Sequence, residues 1–97
     1  MKHCFLAVDD EVLALADLTN ALEEAAPSET ICPYNSPSAA LEAVRKKAIC
    51  PDVAFLDIQM RGWTGLQLAT ELRKVLPQLE IVFVTAYPQY ALESYSL

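Results

Sequence analysis

Three observations predict an α/β fold built on a parallel sheet. Val53–Leu56 and Ile81–Val84 are uninterrupted apolar runs, as in strands covered by helices on both faces. Between such runs, apolar residues recur at spacings of three and four, the helical period. The alternation repeats four times in 97 residues, the pattern of parallel strands joined by right-handed crossovers.

The first strand is Cys4 to Val8, followed by Asp9, Asp10 and Glu11. Negative charge there suits the start of a helix. Val12, Leu15, Leu18, Leu22 and Ala25 form one face of that helix, which Pro27 and Ser28 end. Glu29 to Tyr34 reads as a weaker strand; Pro33 cannot donate to a ladder, which places the strand at a sheet edge. Ser36-Pro37 starts the second helix, with Ser as N-cap and Pro at the first helical position. Its buried face is Leu41, Val44 and Ala48, and Arg45, Lys46 and Lys47 crowd its last turn. Asp52 to Asp57 is the third strand, and Ile58 to Thr64 a loop. Thr64 and Gln67 have capping-box spacing for a third helix that buries Leu68, Leu72, Val75 and Leu76, with Leu66 beside them. Ile81 to Val84 is the fourth strand, and Tyr87-Pro88 opens a last helical stretch.

Length suits one domain over 1–97, and 54% hydrophobic residues exclude disorder. A net charge of −6 gives this segment no electrostatic footprint for nucleic acid or an anionic membrane. Nothing in the N-terminal MKHCFLAVDD reads as a signal peptide, and no run is long enough to span a bilayer. Cys4, Cys32 and Cys50 show no zinc spacing, and Cys4 reads as a small core residue. An odd, scattered set fits a reducing compartment, so a cytoplasmic location is expected. Two glycines, neither after the first strand, exclude the dinucleotide fingerprint and the P-loop.

The chemistry gathers at the strand ends. Asp9 and Asp10 follow the first strand, Asp57 ends the third and Thr85 follows the fourth. If these strands are neighbours, all four side chains share the rim where open α/β sheets bind ligands. Carboxylates with a hydroxyl suit a hard divalent cation, Mg²⁺ above others. The blander reading is that the acids cap strands and helices; Asp10 and Glu11 suffice for that, Asp57 at the end of a buried strand does not. His3 starts the first strand at the opposite rim, and Asp52 begins the third, so neither joins this site. Trp63 reads as a half-packed loop residue.

Val8-Asp9-Asp10-Glu11, Phe55-Leu56-Asp57-Ile58-Gln59-Met60, Gly62, Gly65-Leu66 and Val84-Thr85-Ala86 together resemble the receiver domain of bacterial response regulators, in register along the whole chain. The phrase IVFVTAYPQYALESYSL is similar to receivers joined to LytTR-type DNA-binding domains. The resemblance implies a doubly wound, flavodoxin-like sheet in strand order 2-1-3-4. It implies that Asp57 accepts a phosphoryl group from a sensor histidine kinase. Asp9, Asp10, Asp57 and the backbone carbonyl of Gln59 would hold Mg²⁺. Thr85 would contact the phosphoryl group and Ala86 would leave room for it. The family's switch aromatic belongs to its fifth strand; Tyr87 and Tyr90, which border the loop after Thr85, are candidate switch aromatics by position, with core packing the stronger reading. The output would be transcription regulation by a DNA-binding part elsewhere.

Two departures accompany the resemblance. Arg61 stands where receivers usually carry Pro; it is expected to loosen the loop and adds a cation near the site, which could steady phosphate or lie in solvent, with solvent the favoured reading. The family's fifth strand, with its Lys-Pro pair, and its fifth helix have no counterpart, so a fragment of a longer regulator is expected. The fourth strand would then be an exposed edge, or helix faces would be uncovered, and either would favour dimerisation. Two other readings stand beside this one. A receiver-like interaction module would no longer take phosphate. A Mg²⁺-dependent aspartyl phosphohydrolase would want a second Asp at position 59, where Gln stands.

Overall fold

The computed structural model describes residues 3–84. Four strands, β1 (Cys4–Val8), β2 (Thr30–Tyr34), β3 (Val53–Asp57) and β6 (Glu80–Val84), form one parallel sheet in the order β2-β1-β3-β6. This is the order 2-1-3-4 expected from the resemblance, with Pro33 on an edge strand. Three helices connect the strands: α1 (Val12–Ala25), α2 (Pro37–Arg45) and α3 (Gly65–Val75). The loop after β3 is more ordered than the sequence suggests. It folds back as a two-stranded antiparallel ribbon, β4 (Gln59–Met60) against β5 (Trp63–Thr64). Gly62 turns it at φ 77°, a conformation that costs other residues strain.

The sheet's two faces are unequal. Leu6, Val8, Ala54, Leu56, Ile81 and Phe83 pack under α2 and α3, against Ala40, Leu41, Val44, Leu68, Ala69 and Leu72. This is the core, and it contains no α1 residue. On the other face Phe5 and Phe55 meet with ring centroids 5.6 Å apart, and Val53, Phe55, Val82 and Val84 are only half-buried. The apolar runs of β3 and β6 are therefore fully buried at alternate residues only. α1 buries Leu15 alone, with Leu18 and Leu22 half-buried and Val12 64% exposed. Of the expected face, Leu15, Leu18 and Leu22 turn inward, whereas Val12 and Ala25 are exposed.

Caps follow the sequence closely. Ser36 Oγ accepts from the Ala39 N–H, and Thr64 and Gln67 form the reciprocal capping box. Three expectations need correction. Ala48 lies beyond the end of α2 and is exposed; Ala40 takes its place in the core. Lys46 caps α2 and Lys47 adopts φ 61°, so only Arg45 lies in the last turn. Leu66 is 59% exposed, because Leu68 and Leu72 own the buried stripe of α3.

The three cysteines are less scattered than their spacing suggests. Cys4 and Cys32 Sγ lie 3.3 Å apart across β1 and β2, and both residues are half-buried. Burial, foremost, and then Cys32 push the Cys4 thiol up to about 12. It is a protonated packing group.

Gly65 ties the loop to the sheet. Its N–H donates to the Ile58 carbonyl at 2.7 Å. A side-chain carbon at this position would fall well inside contact distance of the Asp57 carbonyl oxygen and 3.2 Å from Ile58 Cα. Gly62 has nothing within 4 Å. Gly65→Ala should therefore cost about 1–3 kcal/mol by overpacking against main chain. Gly62→Ala should cost about 1 kcal/mol, from backbone strain alone. Thermal melts of the two variants check this; a Gly65→Ala protein no less stable than Gly62→Ala would contradict it.

Candidate functional site

Strand register brings the acids together. β1 and β3 pair from Phe5↔Val53 to Val8↔Leu56, so Asp9 and Asp57 emerge side by side at the carboxyl rim. Asp9 is buried; its N–H donates to the Tyr34 carbonyl at 3.2 Å and its Oδ1 accepts from the Glu11 N–H at 2.9 Å. Glu11 is the N-cap of α1 but makes no side-chain cap bond, so Asp9 holds this helix start. Carboxylate oxygens of Asp9, Asp10 and Asp57 all lie within 4.8 Å of one another. They line an open cavity of about 320 Å³ together with Glu11, Ala14, Gln59, Met60 and Arg61.

Crowding shows in the proton affinities. Burial, and then the charge of Asp9, push the Asp57 carboxyl up to about 6. The adjacent backbone N–H groups of Gln59 and Ile58 oppose that rise. Asp9 is also raised, by burial above all and by Asp10 and Glu11, against the Glu11 N–H and a hydrogen bond with Asp57. Anionic oxygens gathered in a partly desolvated rim favour any partner that brings positive charge. The hard oxygen donors and their mutual spacing fit a divalent cation of the Mg²⁺ kind.

Other expected residues fall as follows. Gln59 lines the same cavity. Arg61 lies largely in solvent, as expected, and also reaches Asp10. Its backbone N–H and its Nε both donate to Asp10 Oδ2, at 2.8 and 3.3 Å. Thr85, Ala86, Tyr87 and Tyr90 lie outside the described residues. His3 is far from the cluster in the fold, its backbone N–H and Nδ1 on Glu29, and Asp52 accepts from the Cys4 N–H at 2.9 Å. Trp63 is half-buried in the ribbon. The Arg61 contact was missed because it depends on the unforeseen ribbon; an N–H at position 61, where Pro would have none, was the available signal.

The raised Asp57 affinity has a sign that can be measured. Between pH 6 and 3.8 the folded protein binds a proton here that the unfolded chain does not. The group therefore destabilises metal-free protein above pH 6, and the penalty fades as pH falls towards 3.8. Asp57→Asn should raise the Tm of metal-free protein at pH 7.5. Discounted for a half-exposed carboxylate, the gain is about 1 kcal/mol, or roughly 4–8 °C. The gain should shrink towards zero near pH 4. A gain that is absent at pH 7.5, or constant with pH, would contradict the assignment.

Comparison with known proteins converges on one family. Residues 5–96 match the family described as response regulator receiver domain. The chain is 40% identical over 92 residues to the sensory transduction protein LytT of Bacillus anthracis, covering 95% of this chain and 37% of that protein. It is 33% identical over 92 residues to the transcriptional regulatory protein LytR of Staphylococcus aureus, with the same coverage of 95% and 37%. The chain thus spans little more than a third of the length of these relatives. Among solved structures it is similar to the response regulator TrrA of Thermotoga maritima in complex with Mg²⁺-BeF. The TM-score is 0.75 and the identity 32%, covering 96% of this chain and 76% of that one. TrrA in complex with the histidine kinase ThkA matches with a TM-score of 0.73 and 33% identity, covering 93% and 73%. With the family match, the parallel order β2-β1-β3-β6 and the acids at its carboxyl rim, the chain belongs to the response regulator receiver domain family.

Proposed function

We propose that Asp57 accepts a phosphoryl group from the phosphohistidine of a sensor histidine kinase, in a Mg²⁺-dependent reaction that changes what the domain binds. The observation that carries this is the meeting of Asp9, Asp10 and Asp57 oxygens within 4.8 Å at the end of β3. Asp9, Asp10, Asp57 and the backbone carbonyl of Gln59 are the groups that would hold the cation. Bound there, Mg²⁺ would offset charge on the oxygens of the transferring phosphoryl group.

The chain's own part is to present an ionised, oriented nucleophile. An Asp57 oxygen attacks phosphorus in line, and the phosphorus–nitrogen bond to the kinase imidazole breaks, its electron pair staying on nitrogen. The product is an acyl phosphate. The Ile58 and Gln59 N–H groups favour the ionised carboxylate, and the Gly65 contact fixes the backbone behind it. Only the ionised form attacks, so an acid held up to about 6 slows transfer at low pH unless a cation lowers it. The added phosphate brings nearly two negative charges and three acceptor oxygens, enough to reorder an adjacent loop.

The kinase partner follows the ThkA complex of the TrrA neighbour, and a transcription-regulating output follows the name of the LytR relative; that this output binds DNA is part of the proposal. Thr85 and Ala86 complete the proposed phosphoryl site, with Tyr87 and Tyr90 as switch aromatics. No helix among the described residues is long and apolar enough to cross a membrane. Among the described residues β6 is the outer strand of the sheet, and self-association of two copies, along this strand or through helix faces, is part of the proposal. Sedimentation at micromolar concentration reads this; a monodisperse monomer would count against it.

Incubation with Mg²⁺ and acetyl phosphate, followed by intact-mass measurement, tests the phosphoacceptor role. One phosphoryl group should be gained by the parent, and none by Asp57→Ala or in excess chelator. Equal gain in Asp57→Ala would place the acceptor elsewhere.

A further inference from the structure

Asp10 has a partner the metal reading does not use. Arg61 brings a main-chain donor at 2.8 Å and a guanidinium Nε at 3.3 Å to the same oxygen, Asp10 Oδ2. The ribbon makes this possible. Met60 pairs with Trp63, so Arg61 and Gly62 form its tip, and the tip reaches the start of α1. The Arg61 side chain is 89% exposed, whereas that of Asp10 is 17% exposed. Packing therefore does little to hold the guanidinium in place, and the carboxylate is its described anchor.

We propose that Arg61 is a resident counter-cation of the carboxylate cluster, and that it sets how tightly the site takes Mg²⁺ by competing for Asp10. The proposal rests on the reading that Asp9, Asp10 and Asp57 hold a divalent cation. Three acids within 4.8 Å repel one another, and a positive charge from either source relieves that repulsion. Arg61 supplies one charge permanently, tethered to the loop. A dication entering the cluster meets that charge and a carboxylate oxygen already engaged by two donors. A unit charge about 6 Å from a dication in water-like surroundings weakens binding about tenfold, reduced to about threefold by physiological salt. Arg61 is thus an affinity-setting residue that offsets part of the rim's negative charge and raises the Mg²⁺ concentration at which it fills.

Trp63, the chain's one tryptophan and a ribbon partner of Met60, is a built-in reporter. Mg²⁺ titrations followed by its fluorescence, and by calorimetry, would compare the parent with Arg61→Gln and Arg61→Ala. Both variants keep the main-chain N–H at 61 and remove the charge with its Nε hydrogen bond, Gln keeping a polar side chain, and thermal melts confirm their folding. At low ionic strength each should bind Mg²⁺ at least threefold more tightly than the parent, with the advantage falling towards none in 0.5 M salt. A gain under threefold at low salt overturns the proposal. So does a gain that persists undiminished at high salt, since that would reflect packing rather than charge. A parent protein with no saturable Mg²⁺ binding by either method would instead overturn the cation site itself.

Discussion

Three carboxylates forced to one point on a sheet rim are the constraint on which the rest of this structure turns. β1 and β3 are parallel and in register to their ends, so the residues that follow Val8 and Leu56 cannot avoid each other. Parallel strands buried under helices leave no other outlet for the charge. Asp9 is left buried and Asp57 half-buried, each holding its proton more tightly than a free carboxyl. An arrangement that opposes its own ionisation gains most from a cation and least from being left alone. That imbalance makes the rim reactive, and it explains why a guanidinium from the neighbouring ribbon sits on Asp10.

The surrounding fold holds this arrangement in place. The α2 and α3 face carries the dense core, and the loop after β3 is fastened by the Gly65 N–H and by the Thr64–Gln67 capping box. Backbone closeness at Gly65, where no side chain fits, links helix start to strand end. Movement of Asp57 is therefore coupled to the ribbon and to α3. Among the described residues the α1 face is less densely packed, with half-buried sheet residues and Leu13 of α1 82% exposed.

Much of this was legible in the sequence for identifiable reasons. Apolar runs ending in Asp9 and Asp57 marked strand ends, since a charge cannot lie mid-strand in a covered sheet. Ser36-Pro37 and Thr64–Gln67 carry their capping chemistry locally, and both appear as read. What was not legible depends on tertiary placement. Two-residue strands such as Gln59–Met60 are too short to show a period. Periodicity finds the inward side of α1 but not how much sheet awaits it. The Cys4–Cys32 contact follows from the β1–β2 register, invisible across a separation of 28 residues. The Arg61–Asp10 bond needs the ribbon first, and so the one residue departing from the family pattern was read as a solvent side chain.

The most direct measurement is a ¹³C NMR titration of the Asp57 carboxyl, without divalent cation and then with saturating Mg²⁺. Without the cation its midpoint should lie near 6, with a second perturbation from the coupled Asp9. With Mg²⁺ the midpoint should fall below that of a free aspartate, about 3.9. A metal-free midpoint already at the unperturbed value, or one that Mg²⁺ leaves in place, would contradict the claim that crowding of these three acids creates the site.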